Sequence, residues 1–499
     1  MTTVTERPSK YKVVGTRAAR HDGLDKVTGA AKFGADINMP GMLYGKVLRS
    51  PHSHARIRSI DTSKAEALPG VMAVATARDL PIIQARPIDY ENIQGNPRII
   101  AENILASEKV LYKGHAVAAV AATSPHIAEE ALNLITVDYE VLPTVLGWHE
   151  AMKEGAPLLH ENMTTRFRQD RRGAGDDTGE KSNVAGHLQH KIGDLEKGFQ
   201  EADVVLEREY ETQTVHQGYI EPHVSTALWS TDGRLTIWTS TQGAFAVRST
   251  TCAILGIPES MVKVVPMEIG GGFGAKGVTY LAPVTAVLSH KTGRPVRIAM
   301  SRKEVFEGSG PASATYIEVK MGAKKDGKLT AGYCYMVYEA GAFPGSAVGG
   351  GALTAFGPYN IENVLIDGYD VVCNKQKAQS YRAPGQPQAC FAVESAMDEL
   401  AEMLDLDPLD LRLKNAVKEG DRMANGVPHS RFGCREVEEA MKNHSHYSAP
   451  LGGPNRGRGI AVAFRAQGGQ TSSATINVNS NGTINLITGS VDIGGTRTA

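Results

Sequence analysis

The chain has 499 residues, 41% of them hydrophobic and 21% charged, with a formal net charge of −1. That length suits about two to four domains of roughly 100–200 residues each, and the balanced charge gives no hint of nucleic-acid binding. No apolar run reaches the roughly 18–20 residues of a membrane span, and the polar start Met1-Thr2-Thr3-Val4-Thr5-Glu6-Arg7 lacks the apolar core of a secretory signal.

In chain order, residues 1–24 read as a polar tail. A compact mixed α and β region follows, with strands expected at Gly45–Arg49, Val71–Thr76 and Ala116–Ala121. Ser124 is placed to cap a helix that begins at Pro125, and Ile135–Glu140 reads as the next strand. Residues 144–186 read as a connector, because Arg166–Asp177 is charged, glycine-bearing and poor in apolar side chains. Beyond it, Asp232-Gly233, Asp326-Gly327 and Asn481-Gly482 each separate β-like runs, as two-residue type I′ turns do. A helix is expected over Gln388–Leu404, where Val393, Met397, Leu400 and Leu404 form one apolar stripe. The run Gly489–Ala499 stops where a glycine turn would launch another element, so a cropped sequence or a separate polypeptide is expected to account for the continuation. Five cysteines lie far apart with no CxxC pair, which argues against a disulfide framework or an iron–sulfur cluster and suits a reducing cytoplasm.

The most informative segment is Gly270-Gly271-Gly272-Phe273-Gly274-Ala275-Lys276-Gly277. Glycine accepts positive φ and has no Cβ, so such a loop can lay backbone N–H groups against a bulky anion. A strand over Val262–Met267 before it and a helix over Val278–His290 after it would place the loop at a helix N-terminus. The spacing formally matches GxGxxG, yet the following strand ends in Ser301-Arg302-Lys303 rather than in the acid that a dinucleotide's ribose needs. Lys276 is followed by Gly277 where a P-loop has Ser or Thr.

Two further loops stand as partners. Gln242 follows the strand Leu235–Thr239 in Ser240-Thr241-Gln242-Gly243, and its amide could donate to an oxo group or accept from a hydroxyl. Arg382, in Ser380-Tyr381-Arg382-Ala383-Pro384-Gly385, precedes the stripe helix, where a guanidinium and backbone amides could share an anion. His216 and His223, like His52 and His54, lack a recognised metal-ligand spacing.

Taken together in this order, the three loops resemble those of the molybdopterin-binding large subunit of the xanthine dehydrogenase and aldehyde oxidase family of molybdenum hydroxylases. Asp25–Asp36 and Leu48–Ala55 are similar to the opening of the family's hammerhead domain. The resemblance implies an α+β fold with a hammerhead domain at 25–143, a linker at 144–186, a first molybdopterin-binding domain at 187–424 and the start of a second, incomplete one at 425–499. It implies that Gln242 hydrogen-bonds the apical oxo ligand of molybdenum, that Gly272, Phe273 and Gly274 approach its ligand sphere, and that Arg382 flanks the centre. The metal would be held by a molybdopterin, in bacteria usually the cytosine dinucleotide form, so no protein ligand to metal is expected. The implied reaction is hydroxylation of an electron-poor carbon, or its reverse, on an aromatic, N-heterocyclic, acyl-CoA or aldehyde substrate. Electrons would leave to [2Fe–2S] and FAD groups on partner subunits. The family's general base is a Glu in a Gly-x-Gly-Glu loop that this chain does not contain, so a second molybdopterin-binding polypeptide is one expected source of it. A non-catalytic scaffold within such a complex is the alternative.

Departures from the family pattern narrow the substrate. Purine-oxidising members carry a Glu at the position of Gly277 and a stacking Phe at that of Pro384. Carbon monoxide oxidisers carry a copper-binding Cys at the position of Ala383. Neither xanthine nor carbon monoxide is therefore expected.

Overall fold

Alternation decides the strands. Leu235 to Thr239 places Leu235 and Ile237 in the core and leaves Thr236 and Trp238 half-buried between them, as a strand with one covered face must. The computed structural model describes residues 16, 19–86, 88, 96–169, 175–465 and 471–494. Two seven-stranded sheets dominate them.

The first sheet runs in the order Val262–Pro266, Leu235–Thr239, Val224–Trp229, Val296–Ala299, Leu43–Arg49, Ala116–Ala122, Val71–Thr76. Strands from the first 125 residues thus share a sheet with strands from 224–299, joined where Leu43–Arg49 pairs in parallel with Val296–Ala299. Its core gathers Leu43, Ala119, Ile237 and Leu288 from both stretches. The second sheet runs Val204–Thr212, Thr315–Ala323, Leu329–Gly341, Asn363–Val372, Val184–Ile192, Thr164–Arg168, Asp176–Lys181. Helix Gln386–Met403 packs on it through Val393, Met397 and Leu400, the predicted stripe, with Pro387 in its first turn. Ser124 caps helix Pro125–Leu134 as expected, its side chain accepting from Ile127 N–H at 3.2 Å.

Three sequence expectations need correction. Part of the segment read as a solvated connector is sheet: Thr164–Arg168 pairs in parallel with Val184–Ile192 and antiparallel with Asp176–Lys181. Val145, Leu159 and Met163 from the same stretch are core residues. Charged side chains on a short edge strand hide such an element from composition. Residues 170–174, also in that expectation, lie outside the described residues, as do 1–15 of the tail and 495–499 of the last glycine turn.

The Asx-Gly pairs do join hairpins, but not through type I′ turns. Gly233, Gly327 and Gly482 each donate to the carbonyl three residues earlier, of Ser230, Lys324 and Asn479. Only the glycine of each pair has positive φ, at 83°, 87° and 79°. These are three-residue loops with a bulged glycine. Finally, the glycine loop does not open a helix. It runs into a 3₁₀ turn at Ala275–Gly277, and helix Ala282–Thr292 starts only after Leu281. No helix among the described residues is long and apolar enough to cross a membrane.

Candidate functional site

Parallel pairing brings the first two loops together. Leu235–Thr239 and Val262–Pro266 are adjacent parallel strands in register Thr239 to Pro266, so both chains leave the sheet at the same end. Ligands of open α/β sheets lie outside such carboxyl ends. Gln242 reaches from one loop into the other, its Oε1 accepting from Gly274 N–H at 2.9 Å and Lys276 N–H at 3.2 Å. The side-chain Nε2 of Gln242 has no partner among the described residues.

Glycine is required here by contact. A Cβ on Gly272 would lie 2.6 Å from Gln242 Oε1, and one on Gly274, whose φ is 110°, would lie 2.5 Å from the Ser380 carbonyl oxygen. Phe273 holds positive φ at 52°, and its ring is half exposed. Ala383, beside Arg382, is likewise at φ 62°. Non-glycine residues persist there only when their surroundings over-determine them.

The arginine loop arrives from the second sheet and locks onto the glycine loop, Arg382 N–H donating to the Phe273 carbonyl at 2.8 Å. The Arg382 guanidinium has no partner among the described residues. Gln217 clamps the junction from below, donating to the Ser380 and Gly310 carbonyls at 2.9 and 3.2 Å. The five predicted residues, Gln242, Gly272, Phe273, Gly274 and Arg382, therefore converge.

The segment His216–His223, weighed in the sequence only for metal, builds the base of the loop. Glu221 accepts from Gly270 N–H at 2.8 Å and from the Lys276 ammonium at 2.6 Å. Lys276 is fully buried, and desolvation pulls its ammonium below the ordinary lysine value while Glu221 opposes the shift. Its Nζ also lies 5.1 Å from the Tyr219 ring centre. Tyr219 Oη meets His223 Nε2 at 2.8 Å and Ser309 Oγ at 2.9 Å, and the same Ser309 takes His216 Nε2 at 2.9 Å. Sequence reasoning missed Glu221, Gln217 and the role of Lys276. A lone acid 55 positions from its lysine leaves no local signal.

Beside the Arg382 loop opens a cavity of about 470 Å³, bounded by Ser380, Pro384 and Gln386 on one side and Arg168 and His190 on the other. None of its lining residues among those described is acidic.

Known proteins share this fold. Residues 177–416 match the molybdopterin cofactor-binding domain, and residues 28–143 match the a/b hammerhead domain of aldehyde oxidase and xanthine dehydrogenase. The nicotinate dehydrogenase large molybdopterin subunit of Eubacterium barkeri is 34% identical over 425 residues, covering 83% of this chain and 92% of its own. The carbon monoxide dehydrogenase large chain of Afipia carboxidovorans is 34% identical over 83% of this chain, which spans 51% of that relative. Aldehyde oxidoreductase from Desulfovibrio gigas superposes with a TM-score of 0.78 at 27% identity, covering 95% of this chain and 52% of its own. The chain belongs to the molybdopterin-binding large-subunit family of xanthine dehydrogenase and aldehyde oxidase.

Proposed function

We propose that the interlocked loops hold a molybdenum–molybdopterin cofactor, and that the chain serves an oxidoreductase which hydroxylates, or in reverse dehydroxylates, an aromatic, N-heterocyclic, acyl-CoA or aldehyde substrate. The observation that carries this reading is the pairing at Gln242: its carbonyl oxygen is engaged by two loop amides, which leaves the amide nitrogen free to donate. The residues present fit such a group. A cradle without Cβ atoms at Gly270–Gly272, one free amide donor and one free guanidinium suit an anionic, oxo-bearing ligand and offer no soft ligands to bare metal. When bound, the cofactor would supply the two-electron redox chemistry. Gln242 would donate to its oxo ligand, the Gly272–Gly274 backbone would approach it closely, and Arg382 would neutralise charge beside it. The cytosine dinucleotide form, partner subunits with iron–sulfur and flavin groups, and a cytoplasmic setting belong to the same reading; five unpaired cysteines suit that setting.

The general base comes, in this reading, from a Gly-x-Gly-Glu loop outside this sequence, on a second polypeptide or on a continuation of this one. Two features support that. Among the described residues the cavity lining lacks a carboxylate. The hairpin Ala474–Val478 with Ile484–Thr488 turns Ile476, Val478, Ile484 and Leu486 to one face, each 62–74% exposed. A two-stranded hairpin with a bare apolar face is marginal alone and calls for a covering element. The test is metal and pterin analysis of the chain purified with its co-encoded partners. Molybdenum and pterin near one per chain are expected; absence of both would overturn the proposal.

A further inference from the structure

We infer that Arg168 is a specificity-determining residue of the cavity beside the Arg382 loop, and that the preferred substrate is an aromatic or heteroaromatic carboxylate held by its guanidinium. This rests on the reading above that the substrate lies in this cavity. Arg168 ends the strand Thr164–Arg168 and pairs with Leu188 across the parallel ladder, and both residues line the cavity. Arg166, two positions earlier, is engaged by the Gly175 carbonyl and by Asp177. The Arg168 guanidinium has no partner among the described residues. It lies against Gly349, where an added Cβ would be 3.2 Å from its Nη2. The next residue, Gly350, abuts the arginine loop, its would-be Cβ 2.4 Å from the Pro384 carbonyl oxygen. A continuous wall thus runs from Arg168 to the Arg382 loop.

The electrostatics of that wall favour an anion. Among the described residues, no Asp or Glu lines the cavity. The neighbouring acid, Asp370, has both carboxylate oxygens engaged by the Gly345 and Ser346 N–H groups at 2.8 and 2.9 Å. Ser313, 5% exposed, lines the same space with a hydroxyl that lacks any partner among the described residues. A guanidinium without a partner among the described residues in a recess, with a buried hydroxyl also unfilled, matches a carboxylate in charge and in hydrogen-bonding capacity. A neutral ring of the same shape would leave the cation unanswered.

The experiment compares pyridine-3-carboxylate with pyridine-3-carboxamide on the assembled complex, wild type against Arg168→Gln and Arg168→Lys. For the carboxylate, Arg168→Gln is expected to raise KM about 10- to 100-fold with kcat within a few-fold, since a charge-assisted pair contributes on that scale. Arg168→Lys should recover part of the loss, and the carboxamide should respond to neither change. Equal effects on both substrates, or none on the carboxylate, would overturn the inference while leaving the hydroxylase reading in place. Calorimetric binding of benzoate separates the two claims further. Binding that weakens in Arg168→Gln and at high salt, in a complex that turns over neither pyridine, supports the anion site, and the hydroxylase reading then stands or falls on the metal and pterin analysis alone. Benzoate binding indifferent to Arg168 removes the anion site.

Discussion

Gln242 does two jobs with one side chain, and they can be separated. Its Oε1 ties down two amides of the glycine loop, and its Nε2 is free to donate. Gln242→Ala removes both functions, and unpaired loop amides cost about 1–3 kcal/mol in addition to the lost donor. Gln242→Glu keeps the acceptor and removes the donor. Turnover should therefore fall about 100-fold or more in both variants, as for loss of one donor to developing charge. The melting temperature should fall only in Gln242→Ala. Turnover unchanged in Gln242→Glu would make the free amide a bystander. The residue was singled out in the sequence by the family resemblance of its loop, which follows the strand Leu235–Thr239. What was not legible is the direction of its amide, which depends on Gly274 and Lys276, some thirty residues away.

Among elements, the hairpin of residues 474–488 makes the clearest prediction. Ile476 pairs across the strands with Leu486, and both are more than 60% exposed. Replacing both with serine should change the stability of the isolated chain by less than about 0.5 kcal/mol, as exposed substitutions do. If the face is covered in the complex, burial of two such side chains is worth roughly 3–6 kcal/mol, so association with the co-encoded partner should weaken at least ~100-fold. Co-purification or titration of the subunits reads this directly, and unchanged association would clear the hairpin of that role. Element type was largely readable beforehand: Val71–Thr76 and Leu235–Thr239 occur with the expected bounds. The strand Thr164–Arg168 was not, because its identity comes from the two neighbours it pairs with rather than from its own pattern.

At the scale of the whole molecule, buried neutral histidines set the response to acid. His115 is fully buried, accepts from Leu111 N–H at Nδ1 and meets the Glu102 carbonyl through Nε2 at 2.7 Å, which fixes the neutral ring with Nε2 as donor. Burial lowers it from the ordinary 6.5 to about 4, and His160, 5% exposed, is lowered to about 4 for the same reason. His223 goes the same way, well below 6.5. The sign follows from proton uptake. Below pH 6.5 the unfolded chain binds protons that the folded chain refuses until about pH 4, so stability is full above the upper value and is lost as pH falls through that window. Each such histidine contributes up to about 3 kcal/mol. The melting temperature should be level near pH 7 and above and decline between about 6.5 and 4, with a shallower slope in His115→Gln. A slope unchanged by that substitution would remove His115 from the account.

The amino-acid sequence alone determined the local grammar of this protein: which segments alternate, where Ser124 caps a helix, and which three loops carry glycine, amide and guanidinium. Those features depend on neighbours a few residues apart, through φ, ψ and side-chain shape. Only the tertiary structure decided what those loops do to one another. The parallel register of Thr239 with Pro266 sets two of them side by side, and the bond from Arg382 N–H to Phe273 locks the third. Lys276 finds Glu221, and Arg168 is left facing a cavity with no acid among the described residues. Charge pairing and steric fit act through space, and neither leaves a periodic trace along the chain.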